Sequence, residues 1–159
     1  MEKKLVTTVA GIIENQKGEI LCTLRDQGKY DYVSFVWEFP GGKIEEGETK
    51  RQTLARELSE ELDINVNIGN FYYQVEHDYP DFHLSMSLYK CKFNGNHMAM
   101  NVHKAIKWVP KKDLLKLDWA KADLPVAKKL FAENAALQEN IQKWKIKIKH
   151  QEQQWLLSC

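Results

Sequence analysis

Gly41-Gly42-Lys43-Ile44-Glu45-Glu46-Gly47-Glu48, followed after seven residues by Arg56-Glu57-Leu58-Ser59-Glu60-Glu61-Leu62-Asp63, is the stretch that decides the fold. Its glycines, Gly41, Gly42 and Gly47, let the backbone turn tightly and interrupt regular structure. Beyond them Leu54, Ala55, Leu58 and Leu62 recur at helical spacing, and Thr49-x-x-Gln52 has the form of a capping box at the helix start. Glu57, Glu60 and Glu61 stand at i, i+3 and i+4 on the flank of that apolar stripe, towards the loop. Carboxylates so placed repel by roughly 0.2–0.5 kcal/mol per pair. Either they form a solvated acidic face or they hold a cation.

Outward from this unit the chain alternates strand signals with turns. Leu5 to Ile13 and Glu19 to Arg25 flank the polar Glu14-Asn15-Gln16-Lys17-Gly18 and read as a hairpin. Val33 to Phe39 is a third apolar run, stopped by Pro40-Gly41-Gly42. Val66 to Val75 and His83 to Phe93 are longer strands with a turn at Asp78-Tyr79-Pro80-Asp81, and Ala105 to Val109 is a strand halted by Pro110. Pro125 opens a helix through Leu130, with Asp123 placed to cap it. Sheet with a few helices predicts an α/β or α+β sandwich. In the tail, Leu137, Ile141, Trp144, Ile148 and Trp155 fit a helical stripe, while Trp144 to Lys149 also alternates as a strand would. Helix is the expectation, packed on the parent domain or serving as a dimer contact or accessory surface.

A chain of 159 residues is long enough for one domain with its own core. Its 23 Lys+Arg balance 22 Asp+Glu, which gives no electrostatic case for polymeric nucleic acid or a membrane surface. The N-terminal stretch reads as a strand rather than a signal peptide, and no apolar run approaches the roughly 20 residues of a bilayer span. Cys22, Cys91 and Cys159 have no metal-ligand spacing and are odd in number. The expectation is a soluble, cytoplasmic protein, monomer or homodimer.

From Gly42 the pattern reads glycine, five residues, Glu48, seven residues, Arg56-Glu57-Leu58, one residue, Glu60-Glu61, one residue, Asp63-Ile64. Six fixed positions, each about 5 % likely on composition, would coincide by chance with probability on the order of 10^-6 to 10^-5. The pattern resembles the Nudix box, with Asp63 where that box normally has glycine. Trp37-Glu38-Phe39-Pro40-Gly41-Gly42-Lys43-Ile44-Glu45 is similar to the MutT-type branch of the same superfamily, and Asp123 below points to its CTP pyrophosphohydrolase-like members. The resemblance implies a Nudix domain over 1–134, an αβα sandwich with a mixed central sheet, and leaves 135–159 as a C-terminal extension. It also implies an enzyme that hydrolyses a nucleoside triphosphate to the monophosphate and pyrophosphate.

By that resemblance Mg²⁺, with Mn²⁺ as a substitute, is held by Glu57, Glu60, Glu61 and the Gly41 carbonyl, and Glu57 is the expected base. Arg56 and Glu48 would pair to hold the loop against the helix, and Asp63 would sit at the helix C-terminus in a left-handed conformation. Arg25 and Lys43 would bind phosphate, or lie on the surface. Many relatives carry a further glutamate six residues before the tryptophan matching Trp108. Here Val102 stands there, which opens the number of metals, and the adjacent His103 either substitutes in part or is a surface or hydrogen-bonding histidine.

Trp37 and Phe39 share a strand face and either stack on a base or pack in the core. Asp123 replaces the asparagine usual in MutT enzymes that clear oxidised guanine nucleotides. If ionised it only accepts hydrogen bonds and suits the amino group of cytosine, favouring CTP, dCTP or 5-substituted dCTP; if it caps the next helix it says nothing of substrate. The alternatives are 8-oxo-dGTP or other oxidised nucleotides, a nucleotide sugar, a non-catalytic Nudix-fold binding module, or a structural protein indifferent to divalent metal.

Overall fold

In the sheet, β1 (Lys4–Glu14) runs parallel to β6 (Phe82–Lys92) along its whole length, with Lys4 opposite Phe82 and Glu14 opposite Lys92. The computed structural model describes residues 2–95 and 97–159. Its remaining strands are β2 (Glu19–Leu24), β3 (Trp37–Glu38), β4 (Gly41–Lys43), β5 (Asn67–Asp78) and β7 (Ala105–Pro110), and all of them pair antiparallel. The seven strands form one mixed sheet in the order β3-β2-β1-β6-β5, with β4 on β1 and β7 on β2.

Alternation along β1 divides the core. Val9 and Ile13 face α1 (Lys50–Leu62), where they meet its buried Leu54, Leu58 and Leu62. Ala10 and Ile12 face the other layer, where Val126, Ala127 and Leu130 of α2 (Leu124–Ser158) pack with Leu88, Val109 and Leu114. The expected α/β sandwich is therefore present, with helices on both faces of the sheet. Ala55, read as part of the α1 stripe, is instead exposed. No helix among the described residues is long and apolar enough to cross a membrane.

Several local expectations hold. Thr49 and Gln52 form the reciprocal capping box, and Asp63 closes α1 at φ 50°, ψ 41°, its N–H donating to Ser59. That left-handed backbone explains why glycine is the usual residue there. The turn after β1 is built by Asn15, whose Oδ1 accepts from the N–H groups of Lys17 and Glu19.

The hairpin that follows is shorter than its sequence suggested. β1 and β2 are in register only at Glu14 and Ile20, because β4 takes the middle of the edge of β1 that β2 would use, while β6 covers the other edge. Val33 to Phe39 is not one strand either. Val33 ends a 3-10 turn and is buried, Phe35 adopts φ 55° with its ring exposed, and only Trp37–Glu38 pairs with β2. After Pro40 the glycines resume as β4, lying so close to β1 that a Cβ on Gly41 would stand 2.0 Å from the Val9 carbonyl oxygen.

The helix after Asp123 does not stop near Leu130. It runs 35 residues to Ser158, and the tail is helical. The strand-like alternation of Trp144 to Lys149 lies within this helix. Asp123 does not cap this helix with its side chain.

Candidate active site

The loop between β4 and α1 is laced to β1, with the Gly11 N–H donating to Pro40 O and the Ile44 N–H to Thr7 O. This places the start of the loop under α1. A Cβ on Gly42 would come within 2.3 Å of Glu57 Cδ, so glycine is what lets the Glu57 carboxyl lie against the loop backbone.

Arg56 grips Glu48 through two contacts, Nε to Oε2 at 2.8 Å and Nη2 to Oε1 at 2.9 Å. Its Nη1 also reaches Glu57 Oε1 at 3.0 Å and Glu60 Oε2 at 3.2 Å. Glu48 takes further hydrogen bonds from the Thr53 hydroxyl and the Glu45 N–H. These bonds, that of Arg56 foremost, hold the Glu48 carboxyl down at about 2, and Glu48 pushes the guanidinium up from its already high value. The bidentate pair joins loop to helix in the geometry that a positioning pair requires.

Glu57 and Glu61 face a cleft of about 660 Å³, a size suited to a nucleotide-like molecule. Burial, then the charge of Glu57, pushes the Glu61 carboxyl up to about 8. Glu60, in contrast, is 60 % exposed at its side chain and bonded to Arg56, outside the cleft lining. Among the described residues, no three His, Cys, Asp or Glu side chains are already gathered as a metal cage. The donors available are nonetheless carboxylates at a glycine-lined cleft, the hard oxygen set that suits Mg²⁺, which keeps waters of its own and uses few protein ligands.

The segment carrying Val102 closes over the end of α1. Ala99 N–H donates to Leu62 O, Asn101 N–H to Glu61 O, and Asn101 Nδ2 to Glu60 O. Val102 is exposed at the cleft. His103 turns inward, its side chain 7 % exposed and its Nε2 3.5 Å from Glu61 Oε2. It is not a surface residue. Burial, then Arg25, lowers its pKa, and its Nδ1 is buried without a hydrogen-bond partner.

Arg25 and Lys43 both line the cleft, and Arg25 Nη1 lies 3.8 Å from Glu38 Oε2. Phe39 also lines it, yet its ring stacks on Trp119 at a centroid distance of 4.6 Å, so packing and cleft lining coincide. Asp123 is 4 % exposed and its Oδ2 accepts the Phe39 N–H at 2.9 Å. Burial, then the charge of Glu38, raises its pKa well above the carboxylate range. Burial and the Glu38 charge thus favour the acid form, which can both donate and accept, over the ionised, acceptor-only Asp123 that a cytosine reading assumes.

Glu38, Tyr79 and Phe82 are among the lining residues not singled out in the sequence. Glu38 was legible from alternation, since it must point opposite to Trp37 and Phe39; burial raises its pKa. Tyr79 and Phe82 come from the β5–β6 turn, where Tyr32 stacks on Tyr79 at 5.2 Å and Tyr79 lies 5.0 Å from Phe82. No local signal marks them.

The NUDIX domain family model matches residues 4–130. The CTP pyrophosphohydrolase of Escherichia coli K12 is 36% identical over 135 residues, covering 84% of this chain and 96% of that protein. The 8-oxo-dGTP diphosphatase of Haemophilus influenzae is 40% identical over 89 residues, covering 56% of this chain and 64% of its own length, under two thirds of that relative. A crystal structure of a MutT protein from Methanosarcina mazei Go1 superposes with TM-score 0.75 at 23% identity, over 84% of this chain and 98% of that one, a likeness of fold. A family match over most of the sandwich, and a relative matched almost end to end, establish that the chain belongs to the Nudix hydrolases.

Proposed function

We propose that the enzyme hydrolyses a nucleoside triphosphate to the monophosphate and pyrophosphate with Mg²⁺ as cofactor, favouring CTP, dCTP or 5-substituted dCTP. The observation that carries the reaction is the juxtaposition of Glu57 and Glu61 at the glycine-lined cleft, with the Glu61 carboxyl pushed up to about 8. Mg²⁺, held by Glu57, Glu61 and the Gly41 carbonyl, with Glu60 joining them by turning from Arg56, would supply positive charge against the polyphosphate and acidify bound water. Glu57 takes the proton of the attacking water, and Arg56 and Glu48 hold it in place. Arg25 and Lys43 bind phosphate oxygens, and the base lies towards Asp123 and the Tyr79–Phe82 wall.

The pyrimidine preference is supported by the E. coli CTP pyrophosphohydrolase, the relative matched over nearly its full length. A second reading, 8-oxo-dGTP, is favoured by the raised pKa of Asp123, whose acid form presents a donor and an acceptor as an asparagine amide does. Free cysteines at 22, 91 and 159 suit a reducing, cytoplasmic setting. Rates with CTP, dCTP, 5-methyl-dCTP, dGTP, 8-oxo-dGTP and ADP-ribose, with chromatographic identification of products, separate the readings. Highest kcat/KM for a cytosine nucleotide with pyrophosphate released is expected; highest kcat/KM for 8-oxo-dGTP selects the second reading.

A further inference from the structure

Beyond Asn134, α2 leaves the sandwich, and none of residues 135–159 is buried. In proteins most helical stability comes from packing an amphipathic face, and among the described residues nothing covers the face of this extension. That face is not random. Leu137, Ile141, Trp144 and Ile148 keep the alternating four- and three-residue spacing of a heptad seam, which resumes at Trp155 after the polar Gln151, with isoleucine at the a positions 141 and 148 and leucine at the d position 137. Trp144 is 62 % and Trp155 67 % exposed. We propose that this seam is a homodimer interface, in which two copies pair their tails as an antiparallel coiled coil.

The direction follows from the domain's own position. Leu130 lies one heptad before Leu137, and Ala127 two heptads before Ile141, and both are buried against the sandwich. The seam therefore continues the face on which the domain sits. A parallel partner would have to pass its residues 124–134 through that domain. An antiparallel partner overlaps only the free part of the helix.

Charge selects the register. With Ile148 of one copy level with Gln151 of the other, Trp144 meets Trp155 at both ends, and Lys145 lies beside Glu152 in two symmetric pairs. A register one heptad shorter in its residue sum would set Lys145 against Lys145 and Lys147 against Lys147, which like-charge repulsion disfavours. The chosen overlap, 141–158, spans about 27 Å and stays clear of the sandwich. Within the overlap, Ile141, Trp144, Ile148 and Trp155 expose on the order of 400 Å² per copy. With the flanking lysine stems, pairing covers more than roughly 1,000 Å² in total, the scale of a specific interface.

The protein supplies its own probe. Cys22 and Cys91 are buried and Cys159 is exposed, so a nitroxide label attaches selectively at the helix end. Sedimentation should show a dimer at micromolar concentration. Electron–electron resonance should give a Cys159 separation of about 28 Å in the antiparallel pair, since the two ends are 19 residues apart along the axis. Trp144→Glu should return a monomer with unchanged nucleotide turnover. Glu152→Lys should loosen the dimer roughly tenfold, and Lys145→Glu with Glu152→Lys should restore it. A monomer at every concentration, including one that sediments with anionic phospholipid vesicles, overturns the dimer. A short Cys159 separation overturns the antiparallel pairing.

Discussion

Asp123 Oδ2 accepts the backbone N–H of Phe39 at 2.9 Å, tying the residue before α2 to the strand that enters the glycine loop, 84 positions earlier in the chain. The bond gives a partner to a donor that the sheet does not use, and it fixes one oxygen of the carboxyl while the cleft side stays open. Asp123→Asn keeps the acceptor and supplies N–H donors in place of the acid proton. It should preserve folding and leave the ranking of substrates unchanged. Asp123→Ala strands the Phe39 N–H and should cost about 1–3 kcal/mol in denaturant unfolding. A substrate ranking overturned by Asp123→Asn would mean that the carboxyl works as an ion.

The two loop glycines are required for different reasons. Gly41→Ala drives a methyl into the backbone of β1, at 2.0 Å from Val9 O, and should destabilise by about 3 kcal/mol or more. Gly42→Ala meets the Glu57 side chain, which can swing away. That variant should keep most of its stability and lose activity. Paired thermal melts and rates decide between these effects, and a Gly42→Ala enzyme of full activity contradicts the placement of Glu57.

Glu48 titrates at about 2 because Arg56 binds it. Its folded pKa lies below the ordinary 4.5, so the stabilisation is complete above pH 4.5 and is lost as pH falls towards 2. Glu48→Gln should lower the Tm at neutral pH, with the gap to wild type closing across that acid window. Loss of the positioning pair should also cut activity by about 10- to 100-fold. A gap that persists unchanged to pH 2 would deny the ion pair its role.

Glu61 has the opposite sign. Its folded pKa, about 8, lies above 4.5, so the folded protein binds the extra proton between those values and loses stability as pH rises through 8. Without divalent metal, the Tm of wild type should fall over this range more steeply than that of Glu61→Gln. Added Mg²⁺ should flatten the wild-type slope and release protons, measurable by calorimetry in two buffers. Identical slopes for both proteins would remove the buried-carboxyl account.

What was readable in the sequence is what depends on neighbours along the chain. The capping box at Thr49 and Gln52, the buried Leu54, Leu58 and Leu62, the left-handed Asp63 and the Arg56–Glu48 contact all lie within one loop and one helix. Period-two patterns located strands but not their partners, so the pairing of β6 with β1 and the claim of β4 on its other edge, which opens the expected hairpin, were hidden. Phe35 at φ 55° has no signature in a run of apolar residues. Asp123 looked like a helix cap because capping is local, whereas its true partner comes from β3's exit across the sandwich. His103 looked superficial beside a polar stretch, and only the closure of that stretch over α1 turns it inward.

Metal-dependent turnover by the box glutamates is the central claim, and pyrophosphate release from CTP, dCTP and 8-oxo-dGTP by wild type and Glu57→Gln, each with and without Mg²⁺, tests it most directly. The account predicts turnover by wild type only with Mg²⁺, and a loss of about 10²- to 10⁴-fold in the variant with its melting temperature preserved. Turnover that ignores Mg²⁺, or survives Glu57→Gln at full rate, contradicts the account; silence from folded wild type across the three nucleotides assigns the cleft to binding without catalysis.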